Sequence, residues 1–419
     1  MISPLALAAF LATAARGETE VRLSVGGGAR ENLPVMAMPP FTGSDARKGN
    51  DALLAKQVRD IIRADLMLSR RFDARDEESG TTPPIVGATW RLRATAGQSA
   101  DKISVQVRLE NGAGGEAVFE RFYRQDAQWL RALSHRISDD IVRAATGRDG
   151  VARTRIAFVN DQSGHKEIYV MDYDGEGLKR LTNDRSIDLL PRFSPDGRRI
   201  AFTSYKDGNP DLFLLDLETG RASSLSDEQG LNIAGGYSPD GTKILLTLSR
   251  GKSPNLYLKD LNTGALTRLT THFGADSTPT FSPDARQTAF VSDRSGNPQI
   301  YLLDLATKQT RRLTNMNWCD APAWSPTGEW IAFAGRANRK DKMDIFLVDV
   351  TGVQIRQLTH GEGSNEDPTW SPDGRILAFS STRGGRSQIY VMDSDGSAPR
   401  LTVDVPGASS TPHWSGARP

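Results

Sequence analysis

A tetrapeptide that returns at nearly constant spacing governs the second half of this sequence. It reads Ser194-Pro195-Asp196-Gly197, Ser238-Pro239-Asp240-Gly241, Ser282-Pro283-Asp284-Ala285, Ser325-Pro326-Thr327-Gly328 and Ser371-Pro372-Asp373-Gly374, with a degraded copy at Ser415-Gly416. From serine to serine the spacings are 44, 44, 43, 46 and 44 residues. That is the period of a propeller blade. Helical repeats of similar length carry a 3.6-residue apolar pattern, which these turn-rich units lack.

Each unit reads as four short strands. The first ends in an aromatic before the serine: Phe193, Tyr237, Phe281, Trp324, Trp370 and Trp414. Ser-Pro-Asp-Gly suits a type I turn, with Pro fixing φ at its second position and Asp supporting the turn. The second strand begins at Ile156, Ile200, Ile244, Thr288, Ile331 and Leu377. The third reads Ile168-Tyr169-Val170-Met171-Asp172 and its counterparts, and the fourth ends in Leu-Thr, as at Leu181-Thr182 and Leu269-Thr270. Such runs, bounded by Gly, Pro, Asp and Asn, are antiparallel meanders. Six of them predict a closed propeller.

The first unit starts at its second strand, and the sequence ends on an orphan first strand at Pro412-His413-Trp414-Ser415. One blade must therefore be built from both ends of the repeat, which pairs two edges. Successive connections of a meander alternate between its two ends. The Ser-Pro-Asp-Gly turns and the third-to-fourth connections therefore share one face. The loops leading into the innermost first strands crowd the channel mouth on the other.

Ahead of the repeat lies a different pattern. A strand at 33–38, a helix at 51–69 with Leu54, Val58, Ile61, Ile62 and Leu66 on one face, strands at 85–95, 103–110 and 117–124, and a helix at 128–146 make a small α/β domain. Asp126 is the expected cap of the last helix and Gly147 its stop. The expected organisation is multidomain: 1–15 a signal peptide, 20–146 the α/β domain, 147–153 a linker and 154–419 a six-bladed β-propeller. The apolar run from Leu5 to Ala15, with Ala12-Thr13-Ala14, fits the back half of an export signal, although no basic residue precedes Arg16.

Composition narrows function. With 52 Lys and Arg against 51 Asp and Glu, no basic field advertises nucleic acid or an anionic membrane. One cysteine, Cys319, excludes an internal disulfide and multi-cysteine metal sites, and reads as a buried, inert thiol. The five histidines have no metal-ligand spacing, no Gly-x-Ser-x-Gly elbow occurs, and Gly26-Gly27-Gly28 lacks the Lys-Ser/Thr of a phosphate loop. The basic stretch 336–342 reads as a solvated loop. No catalytic residue, cofactor or metal is expected. Glu20-Val21-Arg22-Leu23-Ser24-Val25 alternates polar and apolar residues before the glycines. It can pair within its own domain or add to a partner's sheet edge.

The chain resembles the TolB family of the Tol-Pal envelope system. The resemblance rests on Pro34-Val35-Met36-Ala37-Met38-Pro39-Pro40-Phe41, Ile62-Arg63-Ala64-Asp65-Leu66, Arg71-Phe72-Asp73, Ile137-Ser138-Asp139-Asp140-Ile141 and Thr154-Arg155-Ile156-Ala157-Phe158-Val159, together with the blade motif. It departs in the missing basic n-region and in 86–92, which lacks the family's run of small residues. The resemblance implies a periplasmic, non-catalytic scaffold that links inner-membrane Tol proteins to the peptidoglycan-associated lipoprotein Pal. Outer-membrane integrity and envelope constriction during division would depend on it. It implies a Pal site on the channel-mouth loops, carried by Leu190, Ile233, Ala234, Asp276, Thr278, Asp320, Glu366, Asp367 and Thr411. It implies TolA contact through Glu20, Val21, Arg22, Leu23, Ser24 and Val25, other envelope partners, and membrane association only through partners. The rival class is a propeller enzyme, or a glycan or small-ligand module that uses the central channel.

Overall fold

The computed structural model describes residues 33–45, 49–77, 85, 87–112, 115–250 and 253–416. The expected signal peptide, the alternating segment 20–25 and the triple glycine lie outside these residues.

The N-terminal domain is a mixed sheet with two helices on it. Strand β1 (Val35–Met38) leads through β2 (Thr42–Gly43) to α1 (Gly49–Leu68), then β3 (Asp73–Asp76), β4 (Trp90–Ser99), β5 (Lys102–Asn111), β6 (Ala117–Asp126) and α2 (Leu130–Thr146). The sheet order is β3-β1-β4-β5-β6, with β1 parallel to both neighbours and β4 to β6 an antiparallel meander. Val58, Ile62 and Leu66 of α1 and Leu133, Ile137 and Ile141 of α2 bury against Leu92, Val105 and Val107. At about 25 cal/mol per Å² of apolar area, such a face supplies most of the drive to dock a helix. Helix α2 stops where Gly147 takes φ 70° and returns its N–H to the Arg143 carbonyl at 2.8 Å.

Three local expectations are corrected. The strand expected from 85 begins at Trp90, because Gly87 at φ 78° breaks the extended run. Asp126 caps nothing; its carboxylate accepts Lys102 Nζ across the sheet at 2.6 Å. Strand β3 was not anticipated, since Asp-Ala-Arg-Asp carries one buried side chain, Ala74, and is held extended by pairing with β1.

The propeller consists of six four-stranded sheets, five of them ordered from inside outward as they run in sequence. Five are continuous, spanning 188–226, 232–268, 276–312, 318–357 and 365–401. The sixth joins Ser409–Trp414 to Arg155–Asn160, Glu167–Asp172 and Lys179–Arg180. Trp414 lies opposite Ile156 in this closure, and its indole donates to Thr154 Oγ1 at 2.8 Å. Phe158, Phe202, Phe290, Phe333 and Phe379, from five of the second strands, are fully buried between blades.

The repeated turns close as their chemistry demands. Gly197 N–H reaches the Ser194 carbonyl at 2.8 Å, while Ser194 Oγ donates to Asp196 at 2.6 Å and accepts Arg199 N–H at 3.0 Å. The same serine-to-aspartate bond recurs at Ser238, Ser282 and Ser371. These aspartates are turn supports, and Asp373 also pairs with Arg71 of the N-terminal domain at 2.9 Å.

That pair marks where the first domain docks. Arg70 bonds Asp393 at 2.8 Å, Arg375 donates to the Arg70 carbonyl at 2.7 Å, and Arg131 pairs with Asp174. All of these propeller residues lie at Ser-Pro-Asp-Gly turns or third-to-fourth connections. The N-terminal domain therefore covers part of the turn face, and among the described residues its bonds to the propeller leave the opposite face, with the channel mouth, open.

Candidate functional site

The innermost strands shape the channel mouth. Each pairs with its second strand through a register shift, between Leu189 and Arg192, Ala234 and Tyr237, Ser277 and Thr280, Asp320 and Ala323, Glu366 and Thr369, and Ser410 and His413. Five of these bulges contain a proline, which has no N–H to donate and is tolerated only at such edges. The residue before it is left-handed: Leu190 at φ 54°, Thr278 at 47°, Ala321 at 48°, Asp367 at 54° and Thr411 at 49°. Left-handed backbone costs an L-residue roughly 1–2 kcal/mol, more for a β-branched threonine. A ring of such residues around one opening is a pattern associated with functional surfaces.

This corrects the expected location. Leu190, Ile233, Ala234, Asp276, Thr278, Asp320, Glu366, Asp367 and Thr411 lie within the first strands, not in loops ahead of them. The bulge turns some outward and others inward. Glu366 is exposed, and Leu190, Ile233, Thr278, Asp320, Asp367 and Thr411 are half-buried. Ala234 is buried in a blade core, and Asp276 is buried beneath Arg294, which forks onto it at 2.8 and 2.9 Å. Those two serve the ring itself.

The channel running from these bulges to the Ser-Pro-Asp-Gly turns has a volume of about 360 Å³ and brings together Arg192, Asp367 and His413. Burial pushes Asp367 up to about 6, with Glu366 and Asp320 repelling its charge and Arg192 relieving it. Burial likewise lowers His413 to about 3, helped by Arg192, so this imidazole is neutral at pH 7. Its Nδ1 accepts the Phe193 N–H at 3.2 Å. Arg192 and His413 were not singled out from the sequence, although both occupy the middle of the Pro-x-aromatic motif. A neighbouring hollow of about 290 Å³ opens between Trp318, Asp320, Arg336, Glu366 and Asp367. Arg336 stacks on the Trp318 ring there at 5.4 Å. Cys319 is buried, and burial pushes its thiol up to about 12.

Exposed apolar side chains stand on the same face of the propeller. Phe273 is 84% exposed, Ile187 45% and Trp318 36%. Ile187 and Phe273 lie where a fourth strand passes into the next first strand, and Trp318 opens a first strand beside Asp320 and Glu366. Small exposed apolar groups rimmed by charge are the anatomy of a protein-binding surface.

The family model described as the TolB beta propeller domain matches residues 142–317 and 302–418. The chain belongs to the TolB family. The Tol-Pal system protein TolB of Geobacter sulfurreducens is 39% identical over 162 residues, which cover 36% of this chain and 38% of that protein. That of Syntrophotalea carbinolica is 36% identical over 212 residues, covering 46% and 47%. The chain thus spans less than half the length of these curated relatives. The crystal structure of TolB from Acinetobacter baumannii aligns with a TM-score of 0.78 at 27% identity, covering 92% of this chain and 98% of that one. The structural likeness to TolB therefore includes the N-terminal domain as well as the propeller. Among the described residues, no helix is long and apolar enough to cross a membrane.

Proposed function

We propose that this chain is a periplasmic, non-catalytic adaptor of a Tol-Pal system, binding the lipoprotein Pal at the channel mouth and TolA through Glu20–Val25. The observation that carries the reading is the mouth face, with Trp318 exposed beside Asp320 and Glu366 and with Phe273 and Ile187 exposed on the same side, away from the N-terminal domain. Membership of the TolB family supports the assignment to the Tol-Pal system. The domain boundaries expected above, with the propeller from 154 and a linker at 147–153, belong to the same reading. Its place in the cell would be to couple inner-membrane Tol proteins to the outer envelope during constriction.

Two measurements test this. A pull-down from an envelope extract recovers Pal if the chain is such an adaptor. In titrations with purified Pal, Phe273→Ala and Glu366→Ala together weaken binding at least tenfold, about 1.4 kcal/mol. Thr219, an exposed residue at a third-to-fourth connection on the turn face, is the control: Thr219→Lys leaves affinity unchanged. Equal loss from both faces with the fold intact would remove the model.

A further inference from the structure

A polar junction recurs where each blade meets the next. The first residue of a third strand sits beside the first residue, or in one blade the second, of the following blade's innermost strand. Most junctions pair an acid with a donor or use neutral groups. Asn365 Nδ2 donates to Asp344 Oδ1 at 3.0 Å, Arg294 forks onto Asp276, and Gln299 Oε1 meets Cys319 Sγ at 3.6 Å.

The junction after the closing blade breaks this rule. Glu167 and Asp188 occupy the two positions, both completely buried, and the exposed Asp184 joins them from the intervening loop. One oxygen from each carboxylate lies within 4.8 Å of the others. Glu167 has partners of its own: Arg180 at 2.7 Å and the Thr182 hydroxyl at 2.7 Å. Asp184 Oδ1 accepts Ser186 N–H at 3.1 Å. Asp188 has none at hydrogen-bond geometry on either oxygen. The hydroxyls of Ser204 and Thr182 ease its charge, but the Thr182 proton is already committed to Glu167. Two buried carboxylates and one exposed one share a single guanidinium, which leaves this junction with an excess of negative charge. An uncompensated buried carboxylate costs several kcal/mol, so such groups are paired, protonated or bound to a metal.

We propose that Glu167, Asp184 and Asp188 form a divalent-cation site that locks the closing blade to the first continuous one. The donors are all oxygen, which excludes a preference for zinc or copper and suits a hard cation. Carboxylate oxygens up to 4.8 Å apart can share an ion with bonds of 2.3–2.6 Å, the range of Ca²⁺, whose coordination is more flexible than the strict octahedron of Mg²⁺. Asp188 also begins the innermost strand that carries Leu190, so the ion would tie the ring's seam to the channel mouth.

The test uses the full chain and Ca²⁺ or Mg²⁺ as probes, after removal of metal with EDTA. Millimolar Ca²⁺ raises the melting temperature by several degrees and binds in calorimetry, with Mg²⁺ weaker. Asp188→Asn copies the residue at the same place in two other blades, Asn232 and Asn365, and so preserves the fold. In EDTA it melts at or above the unsubstituted protein, and it loses the Ca²⁺-dependent increment and one equivalent of bound ion. Glu167→Gln behaves likewise. Overturning results are an unsubstituted protein that ignores Ca²⁺, or an Asp188→Asn variant that keeps the same increment and stoichiometry. If the junction holds a shared proton instead, Ca²⁺ has no effect and stability declines as pH rises through about 6.

Discussion

The Tyr173 hydroxyl donates to Asp65 Oδ1 across the domain boundary at 2.7 Å. One residue follows a propeller strand, and the other lies on α1. Asp65 also accepts Ser138 Oγ at 2.6 Å and His135 Nδ1 at 2.9 Å, so a single buried carboxylate gathers α1, α2 and the propeller. Both ends of the seam are supported, since Asp139 holds Arg153 at 2.9 Å and the Ala152 N–H at 2.8 Å.

Removing one arm of this hub loosens the two domains. Tyr173→Phe deletes a bond to a buried charge, a loss of about 1.5–3 kcal/mol. Urea unfolding followed by separate probes for helix and sheet will show the N-terminal domain melting earlier. A variant with coincident transitions and unchanged stability would assign the hub no mechanical role.

The same hub sets a pH dependence. Burial disfavours the charged imidazolium of His135, but the bond to Asp65 and the charges of Asp65 and Asp174 outweigh burial and the opposing Arg131, so its pKa is raised. The contribution is full below the unfolded value of about 6.5 and is lost as pH rises through the higher folded value. Tyr173 also faces the group but stays neutral, its pKa pushed far up by burial and Asp65. Stability measured across this window falls in the unsubstituted protein and flattens at its upper end in His135→Gln.

Asp367 has the opposite consequence. Its folded pKa of about 6 exceeds the ordinary 3.8, so ionising it in the channel costs roughly 2–3 kcal/mol at pH 7. That cost accumulates from about pH 4 to 6 and is constant above. Asp367→Asn therefore stabilises the propeller at pH 7 and leaves it unchanged near pH 3, as denaturant titrations at both values will report.

Closure depends on the last strand. Trp414 is buried, with its indole on Thr154 and its N–H on Thr369 Oγ1 at 3.2 Å. Trp414→Ala loses about 3–5 kcal/mol, the range for large-to-small changes in a core. A chain ended at Ala408 exposes the edge of Arg155–Asn160 and loses its single cooperative transition in calorimetry.

One turn carries a correctable strain. Ala285 holds φ 58° where four other copies have glycine, all at positive φ. Ala285→Gly gains up to about 1 kcal/mol, net of the greater freedom of glycine in the unfolded chain. The reverse change, Gly241→Ala, loses about 1 kcal/mol by conformation alone, since its new Cβ would meet nothing closer than 3.7 Å. Shifts of the urea midpoint in opposite directions are the expected readout.

Much of the architecture was legible because its determinants are local and repeated. Ser194 and its counterparts select a turn through bonds that span at most five residues, and the spacing of those turns leaves room for four strands. The orphan strand at Pro412–Ser415 could be matched to Ile156 because each already had a template in the other blades. The stripe of Val58, Ile62 and Leu66 marked a helix for the same reason, a period that contact with one face imposes.

The channel mouth was legible in position and not in form. Residues such as Thr278 and Asp367 were placed on the correct face, but their left-handed backbone arises from a bulge against the second strand, which no run of neighbours announces. Ala234 and Asp276 belong to the interior because packing between blades and the reach of Arg294 put them there. Strand β3 likewise exists because β1 offers it a ladder.

The number of blades, their turns and the seam that closes the ring follow from short-range chemistry repeated at one period. Folding alone brought Asp65 to Tyr173, and set Glu167, which has donors of its own, against an Asp188 with none at hydrogen-bond geometry. Those encounters join residues from separate elements, and their cost depends on burial, which a side chain acquires only when the chain has folded around it.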